Sequence, residues 1–388
     1  MKMIYLDNAA TTQVHQEVAD AMQPYFTQTY GNPSSIYHFG QTAQKALEEA
    51  RAAIAPVIQA QPDELYFTGG GSESDNWAIK GVAYANRNKG NHIITSKIEH
   101  HAVLHTCEYL EKNGFKVTYL EVDSEGMVNP KDVQNAITED TILVTIMMAN
   151  NEIGTIQPIE EIGQITREKG VLLHTDAVQA FGHIPIDVTA MNIDLLSASA
   201  HKIHGPKGVG LLYIRKGIRI DNLIHGGAQE KKKRAGTENV PGIQGFAKAS
   251  EIAYQNLAAH TEKVMALRDR FIEQIPKVID HVRLNGHPTN RLPGNVNVSF
   301  EFIEGESLLL YLDMEGVAAS SGSACTSGAL DPSHVLMAIG LPHEIAHGSL
   351  RLSLSVYNTE EEVDKTIEAL KSVVNRLRQM SPLYNRRK

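Results

Sequence analysis

The sequence predicts an α/β fold, a large domain built on a mostly parallel sheet followed by a smaller α+β domain, and three observations carry that prediction. Short apolar runs alternate with amphipathic helical segments from Glu64 to Tyr213, the rhythm of βαβ units covered by helices on both faces. One apolar run passes through Gly69-Gly70-Gly71-Ser72 directly into a helical segment. Beyond Tyr213 the alternation stops: a polar, glycine-rich segment and a long helical run precede a set of isolated strands. At 388 residues, 42% hydrophobic and 21% charged, the chain can fill more than one core.

In chain order, residues 1–13 read as extended, with a turn over 7–12. Residues 14–28 carry helical spacing (Val14, Val18, Met22, Phe26) interrupted by Pro24. A turn-rich loop at 31–35 precedes an amphipathic helix over 41–58. The alternating core follows: strand 64–68, helix 73–84, strand 92–95, helix 101–112, strand 115–120, helix 130–136, strand 142–147 and helix 159–168. Two more apolar runs, at 171–173 and within 194–200, lead to Tyr213. After the polar segment 225–242 a helical run extends to about residue 274. Strands at 282–284, 295–300 and 350–354 and helices at 306–312 and 361–378 complete the reading. The expected division is a large domain over 14–260 and a small one over 261–388, joined by residues 1–13. No internal repeat is present.

Composition excludes several functions. A net charge of −9 argues against a direct nucleic-acid binder, and the run Lys231-Lys232-Lys233-Arg234 is too short to reverse it. Two cysteines give neither a disulfide framework nor metal-ligand spacing, so no metal is expected and a reducing cytoplasm is the expected location. The N-terminal residues lack the apolar stretch of a secretory leader, and no apolar run is long enough to span a membrane, so no membrane association is expected.

The chemistry concentrates after strands. Asp176 ends one apolar run and Lys202 follows the next, in a Ser/His/Gly/Pro turn. In open α/β sheets functional groups gather outside the carboxyl ends of strands. An acid for a pyridinium nitrogen and a lysine for a Schiff base are what pyridoxal phosphate requires. Asp176 is equally placed to cap a helix, and a loop lysine is commonly a solvated charge. Gln179 can present its amide beside Asp176. The glycine turn at 69–72 suits an anion, because free amides open the next helix, yet it also serves as a plain strand-to-helix turn. His100 and His101 lack the i, i+4 spacing of a zinc pair, so one imidazole over a cofactor ring is the sharper reading. Cys325 lies among serines, threonine and glycines, the setting of an accessible nucleophilic thiol rather than a buried one; Cys107, inside a helix, reads as core. Arg351 interrupts an apolar strand, suiting either a substrate carboxylate or a buried ion pair.

Taken together, YLDNAATT, YGNPSS, the segment Ile98-Glu99-His100-His101-Ala102-Val103, ANNEIG, HTDAVQ, SASAHKIHGPKGVG, RAGTEN and SSGSACTSG resemble, in order, the cysteine desulfurases of the NifS/IscS type. The resemblance implies a homodimeric fold-type I pyridoxal 5'-phosphate enzyme with the longer cysteine loop. It implies that Lys202 holds the cofactor, Asp176 bonds its ring nitrogen, Gln179 and Asn151 its ring oxygen, and that His100 stacks on it and shuttles a proton. Gly71, Ser72, Ser199 and His201 are the implied phosphate cradle, with Thr237 lent by a second subunit. Asn32 and Arg351 are the implied contacts to the carboxylate of L-cysteine, and Cys325 the residue that takes its sulfur as a persulfide. A sulfur acceptor, either an iron–sulfur scaffold or a tRNA-thiolating enzyme, is implied in turn. The chain departs from the family pattern at Thr68-Gly69-Gly70-Gly71-Ser72-Glu73, at Val356-Tyr357, in the basic stretch 229–233 and in its shorter C-terminus. A selenocysteine lyase, an aminotransferase or a non-catalytic sulfur-relay partner are the alternatives.

Overall fold

A computed structural model describes residues 3–321 and 332–385. After the short strand β1 (Ile4–Tyr5) come β2 (Leu65–Thr68), β3 (His92–Ser96), β4 (Lys116–Leu120), β5 (Thr141–Thr145), β6 (Leu172–Asp176), β7 (Leu195–Ser199) and β8 (Gly210–Ile214). These last seven form one sheet in the order β2-β8-β7-β6-β5-β3-β4. All pairings are parallel except those of β8, which runs antiparallel to both neighbours. Because β8 reverses twice, β2 points the same way as the parallel strands. The carboxyl ends of β2, β3, β5, β6 and β7 therefore share one edge.

Side chains along each strand alternate between two apolar layers, as the pleat requires. Leu195, Leu212 and Ile214 enter the layer containing Trp77, Ile79, Val82 and Val103. Leu196, Leu211 and Tyr213 enter the opposite layer with Leu47, Ile54, Ile243 and Phe246. Helix Gly71–Ala85 covers the first face; helices His38–Ile54 and Val240–Gln255 cover the second. The first of these was expected to run to residue 58. Pro56 instead tightens its last turn into a 3-10 turn, Ala55–Ile58.

A third apolar cluster gathers Leu6 with residues from Val264 to Leu377. It packs helices Leu257–Val278, Gly305–Met314 and Glu360–Met380 on a three-stranded antiparallel sheet made of β9 (Val282–Leu284), β10 (Asn295–Phe300) and, beyond β11 (Val317–Ala318), β12 (Ser349–Ser353). β1 pairs in parallel with β11, which carries the N-terminus into this cluster. The helical run expected to continue to residue 274 is two helices, broken at Asn256, whose backbone leaves the helical region (φ −110°, ψ 9°). The break falls where the burial partner changes: Phe246 and Ala253 belong to the sheet's core, Val264 and Phe271 to the third cluster. Two five-residue helices, His334–Ala338 and His343–His347, were not expected, since they are too short to display a period.

The polar segment before Val240 is pinned by an inward-facing acid. Glu230 is 4% exposed and Arg51 2%. Arg51 donates to both Glu230 oxygens at 2.9 and 2.8 Å, and the Phe67 amide adds a third bond at 2.9 Å. Holding the carboxylate there places Glu230, Lys231 and Lys232 in left-handed backbone (φ 46°, 57° and 69°), at a cost of roughly 1 kcal/mol or more per residue. The buried, bidentate, charge-assisted pair offsets that strain. Glu230→Ala would leave the buried Arg51 with only the Leu65 carbonyl, at 2.7 Å, and the half-exposed Glu48, at 3.6 Å, as partners. It is expected to lower stability by about 3–5 kcal/mol, read as a fall in the urea midpoint; an unchanged midpoint would show that the pair is not needed.

Candidate active site

The shared strand edge collects the sequence-predicted residues. β3 leads to His100, β5 to Asn151, β6 ends at Asp176, and β7 ends at Ser199 and runs into the turn Ala200–Lys202. The Lys202 ammonium donates to the carbonyls of Ala9 (2.5 Å) and Ala10 (2.8 Å). Gln179 Nε2 donates to the same Ala9 oxygen at 3.0 Å. The N-terminal segment thus runs across the site and is fastened at each step. Thr12 Oγ1 donates to the His201 carbonyl at 2.9 Å and accepts from the His204 amide at 2.9 Å. His201 Nδ1 lies 3.2 Å from Thr11 Oγ1. On the other side Arg351 Nη2 donates to Asp7 Oδ1 at 2.9 Å, and Nη1 to the Asn151 carbonyl at 3.0 Å. Arg351 is 3% exposed, and its Nε is buried with no hydrogen-bond partner among the described residues.

Burial sets the charge states. Asp176 is 6% exposed; burial raises its carboxyl to about 6, opposed by the Val178 amide, which donates to it at 2.9 Å, and by Lys202. Behind it stand Asp75, raised well above its ordinary range by burial and by Asp176, and Glu99, raised to about 8 mainly by burial. Glu99 nevertheless accepts from Ser96 Oγ at 2.6 Å and the Met147 amide at 3.0 Å. His174 is held neutral by burial, near 3, with Nδ1 2.8 Å from Thr145 Oγ1 and Nε2 3.0 Å from Ser197 Oγ. Burial first, then Lys202, His334 and His105, lowers His100 to about 4. Its Nδ1 accepts from the Ala102 amide at 3.1 Å, so its single proton sits on Nε2. His201 falls to about 4 for the same reasons, burial and then Lys202 and Lys207.

The glycine turn forms the outer wall. Gly70 adopts φ 151°, ψ 178°, a conformation glycine alone adopts readily, and the helix begins at Gly71 rather than at Glu73. A Cβ on Gly71 would meet Val178 Cγ2 at 2.6 Å, so this end of the helix lies directly against the segment after Asp176. The first intrahelical bond is donated by the Ser74 amide to Gly70 at 3.1 Å, which leaves the amides of residues 71–73 as helix-end donors. These observations fit pyridoxal phosphate. A buried carboxyl raised to about 6 suits a cationic partner, a lysine stands in the next strand's turn, and helix-end amides are placed to receive an anion.

Three other expected residues are exposed: Ser72, in the helix's first turn beside Gly71, Thr237, and Asn32, whose side chain accepts from the Ser34 amide at 2.9 Å within its own loop. Cys325 lies outside the described residues; Cys107 is buried in its helix, and its thiol is pushed up by burial. The flanks of 322–331 are both tied to the site. Ser320 and Arg351 exchange backbone bonds of 3.2 and 2.7 Å, and on the far side Ser333 Oγ bonds the Glu152 carboxylate while His334 Nε2 bonds the Glu99 carbonyl at 2.9 Å. Sequence reading missed Asp75, Glu99, His174 and Asp7 as site groups; Glu73 it noted only as an acid unfavourable to a phosphate. Asp75 alone carried a signal, an acid on the helix face that also presents Ala78, Ile79 and Val82.

Residues 4–366 match the aminotransferase class-V family. A cysteine desulfurase IscS of Methanosarcina thermophila is 61% identical over 98% of this chain and 94% of its own length. One from Clostridium botulinum is 58% identical over 99% and 97%. Among solved structures, a NifS-like protein superposes with a TM-score of 0.91 at 41% identity, over 97% of this chain and 100% of its own. SspA in complex with cysteine does so with a TM-score of 0.80 at 40% identity, over 92% and 100%. These relatives depend on pyridoxal 5'-phosphate, and that is the cofactor of this fold-type I enzyme. On these matches, and on a site built of the groups that cofactor needs, the chain belongs to the aminotransferase class-V family and, within it, to the cysteine desulfurases of the NifS/IscS type.

Proposed function

We propose that this protein converts L-cysteine to L-alanine and passes the sulfur to Cys325 as a persulfide, for delivery to an acceptor protein. The observation that supports this reading best is convergence. Lys202 and Asp176 share one sheet edge; before Cys325 the chain is bonded to Arg351, which donates to the Asn151 carbonyl after β5, and after it Ser333 and His334 bond Glu152 and Glu99. Lys202 and Asp176 alone would equally serve an aminotransferase or a selenocysteine lyase; the cysteine between those two anchors separates the readings.

When bound, pyridoxal phosphate supplies an electron sink for the charge developing at the substrate's Cα. Asp176, buried at the sheet edge, would hold the proton on the ring nitrogen. Gln179 and Asn151 would bind the ring oxygen, and His100 would hold the ring. Gly71, Ser72, Ser199 and His201 would receive the phosphate, with Thr237 of a second copy. Arg351, with its buried unpartnered Nε, takes the substrate carboxylate together with Asn32. Lys202 removes the Cα proton, and the Ala9 and Ala10 carbonyls keep its amine in place. His100, neutral with its proton on Nε2, exchanges the proton of the substrate thiol. The Cys325 thiolate attacks the substrate sulfur. One C–S bond breaks, one S–S bond forms, and the carbon skeleton leaves as alanine, so the step needs no outside oxidant or reductant.

The same reading makes the protein a cytoplasmic homodimer divided at about residue 260, with residues 1–13 and 261–388 as the small domain. No helix among the described residues is long and apolar enough to cross a membrane. The acceptor is an iron–sulfur scaffold or a tRNA-thiolating enzyme. Transfer assays with both would decide between them.

Two variants test the assignments. Lys202→Ala is expected to lose the visible absorbance of the lysine-bound cofactor and all alanine formation. Cys325→Ser is expected to keep the absorbance while alanine and sulfide fall to the level without enzyme. Sulfur release by Cys325→Ser at the wild-type rate would exclude the persulfide route.

A further inference from the structure

The glycine turn proposed to hold the cofactor's phosphate carries an acid in its own first helical turn. Glu73 Oε2 accepts from the Gly69 amide at 2.8 Å, so the carboxylate folds back over the turn; a Cβ on Gly69 would meet that oxygen at 2.7 Å. A carboxylate so placed competes with a phosphate for the positive end of the helix and repels it. It is not left bare. Arg234 Nε donates to Glu73 Oε1 at 2.8 Å and Nη2 to Oε2 at 3.1 Å, a two-pronged pair whose side chains are 22% and 20% exposed. Arg234 also stands three residues before Thr237, on the segment that Glu230 pins to Arg51 and Phe67.

We infer that the Glu73–Arg234 pair sets how tightly the turn holds the cofactor phosphate, with Arg234 acting as a positioning and neutralising residue rather than as a phosphate ligand. This rests on the reading of residues 69–72 as the phosphate cradle. Two consequences follow from the geometry. Neutralisation lets Glu73 brace the turn through Gly69 without repelling the ligand that the turn receives. The same guanidinium fastens the turn to the segment whose Thr237 is proposed to reach the second copy's phosphate, so the supports of the two sites are linked. Because the pair is mostly shielded from solvent, moderate salt screens it little.

The full chain, stripped of cofactor, would be titrated with pyridoxal 5'-phosphate, with pyridoxal and with inorganic phosphate, reading bound cofactor by absorbance and competition by displacement. Arg234→Ala is expected to weaken pyridoxal 5'-phosphate about tenfold or more, the scale of one unopposed charge, and to leave pyridoxal within about twofold. Glu73→Gln keeps an acceptor for the Gly69 amide and removes the charge. Combined with Arg234→Ala it is expected to restore affinity to within about threefold of wild type, and Arg234→Lys to retain it. If Arg234 only props up the loop, the double variant will bind as poorly as Arg234→Ala and pyridoxal will weaken in step; that result overturns the inference. If the wild type binds pyridoxal as tightly as pyridoxal 5'-phosphate, and inorganic phosphate displaces neither, the cradle reading itself fails and the inference with it.

Discussion

The site depends on one threaded segment. Residues 7–13 leave the third core at Leu6 and cross the carboxyl edge of the seven-stranded sheet. There they meet Arg351 through Asp7, Lys202 and Gln179 through the Ala9 carbonyl, and the His201–His204 turn through Thr11 and Thr12. Two apolar cores that share no strand are thus joined by polar bonds that also position the Lys202 amine. A lysine ammonium bound to two backbone carbonyls is held in one place by both. The proposed cofactor lysine and the contact between the cores are therefore one structural element.

The second constraint is charge inside the fold. Asp75, Glu99, Glu152 and Asp176 are all buried within reach of the strand edge, and burial raises each of their carboxyls. Such acids are costly unless something cationic or proton-donating faces them. His174 stays neutral and donates no charge to them. Hydrogen bonds from Val178 to Asp176, Ser333 to Glu152, Ser197 to Asp75, and Ser96 and Met147 to Glu99 oppose the shifts, with Lys202 adding to the first and Arg351 to the second. A site with more buried acid than fixed base is prepared for a cationic ring. It is also one where exchanging a single charge alters the charge state of several neighbours.

Much of this was legible in the sequence. The βα alternation marked the large sheet because its buried strands carry short apolar runs, Ile93-Ile94 in β3, Ile142-Leu143-Val144 in β5 and Leu195-Leu196 in β7. Asp176, Lys202 and the glycine turn stood out because each follows such a run. The register that brings Asp7 to Arg351, or Glu73 to Arg234, is a tertiary outcome with no local signature. Glu230 is the clearest case: it lies within a basic, polar stretch that carries no sign of burial, yet its carboxylate is buried and its backbone is forced into left-handed space. The break at Asn256 escaped notice because helical period continues through it while the core it serves changes.

The account stands on sulfur leaving cysteine for one named atom. The most direct measurement is mass mapping of the holoenzyme after a single turnover with one equivalent of L-cysteine, without reductant. The account predicts one alanine per active site and one added sulfur on the peptide containing Cys325. Alanine with no sulfur on that peptide, or the sulfur on Cys107, would contradict it.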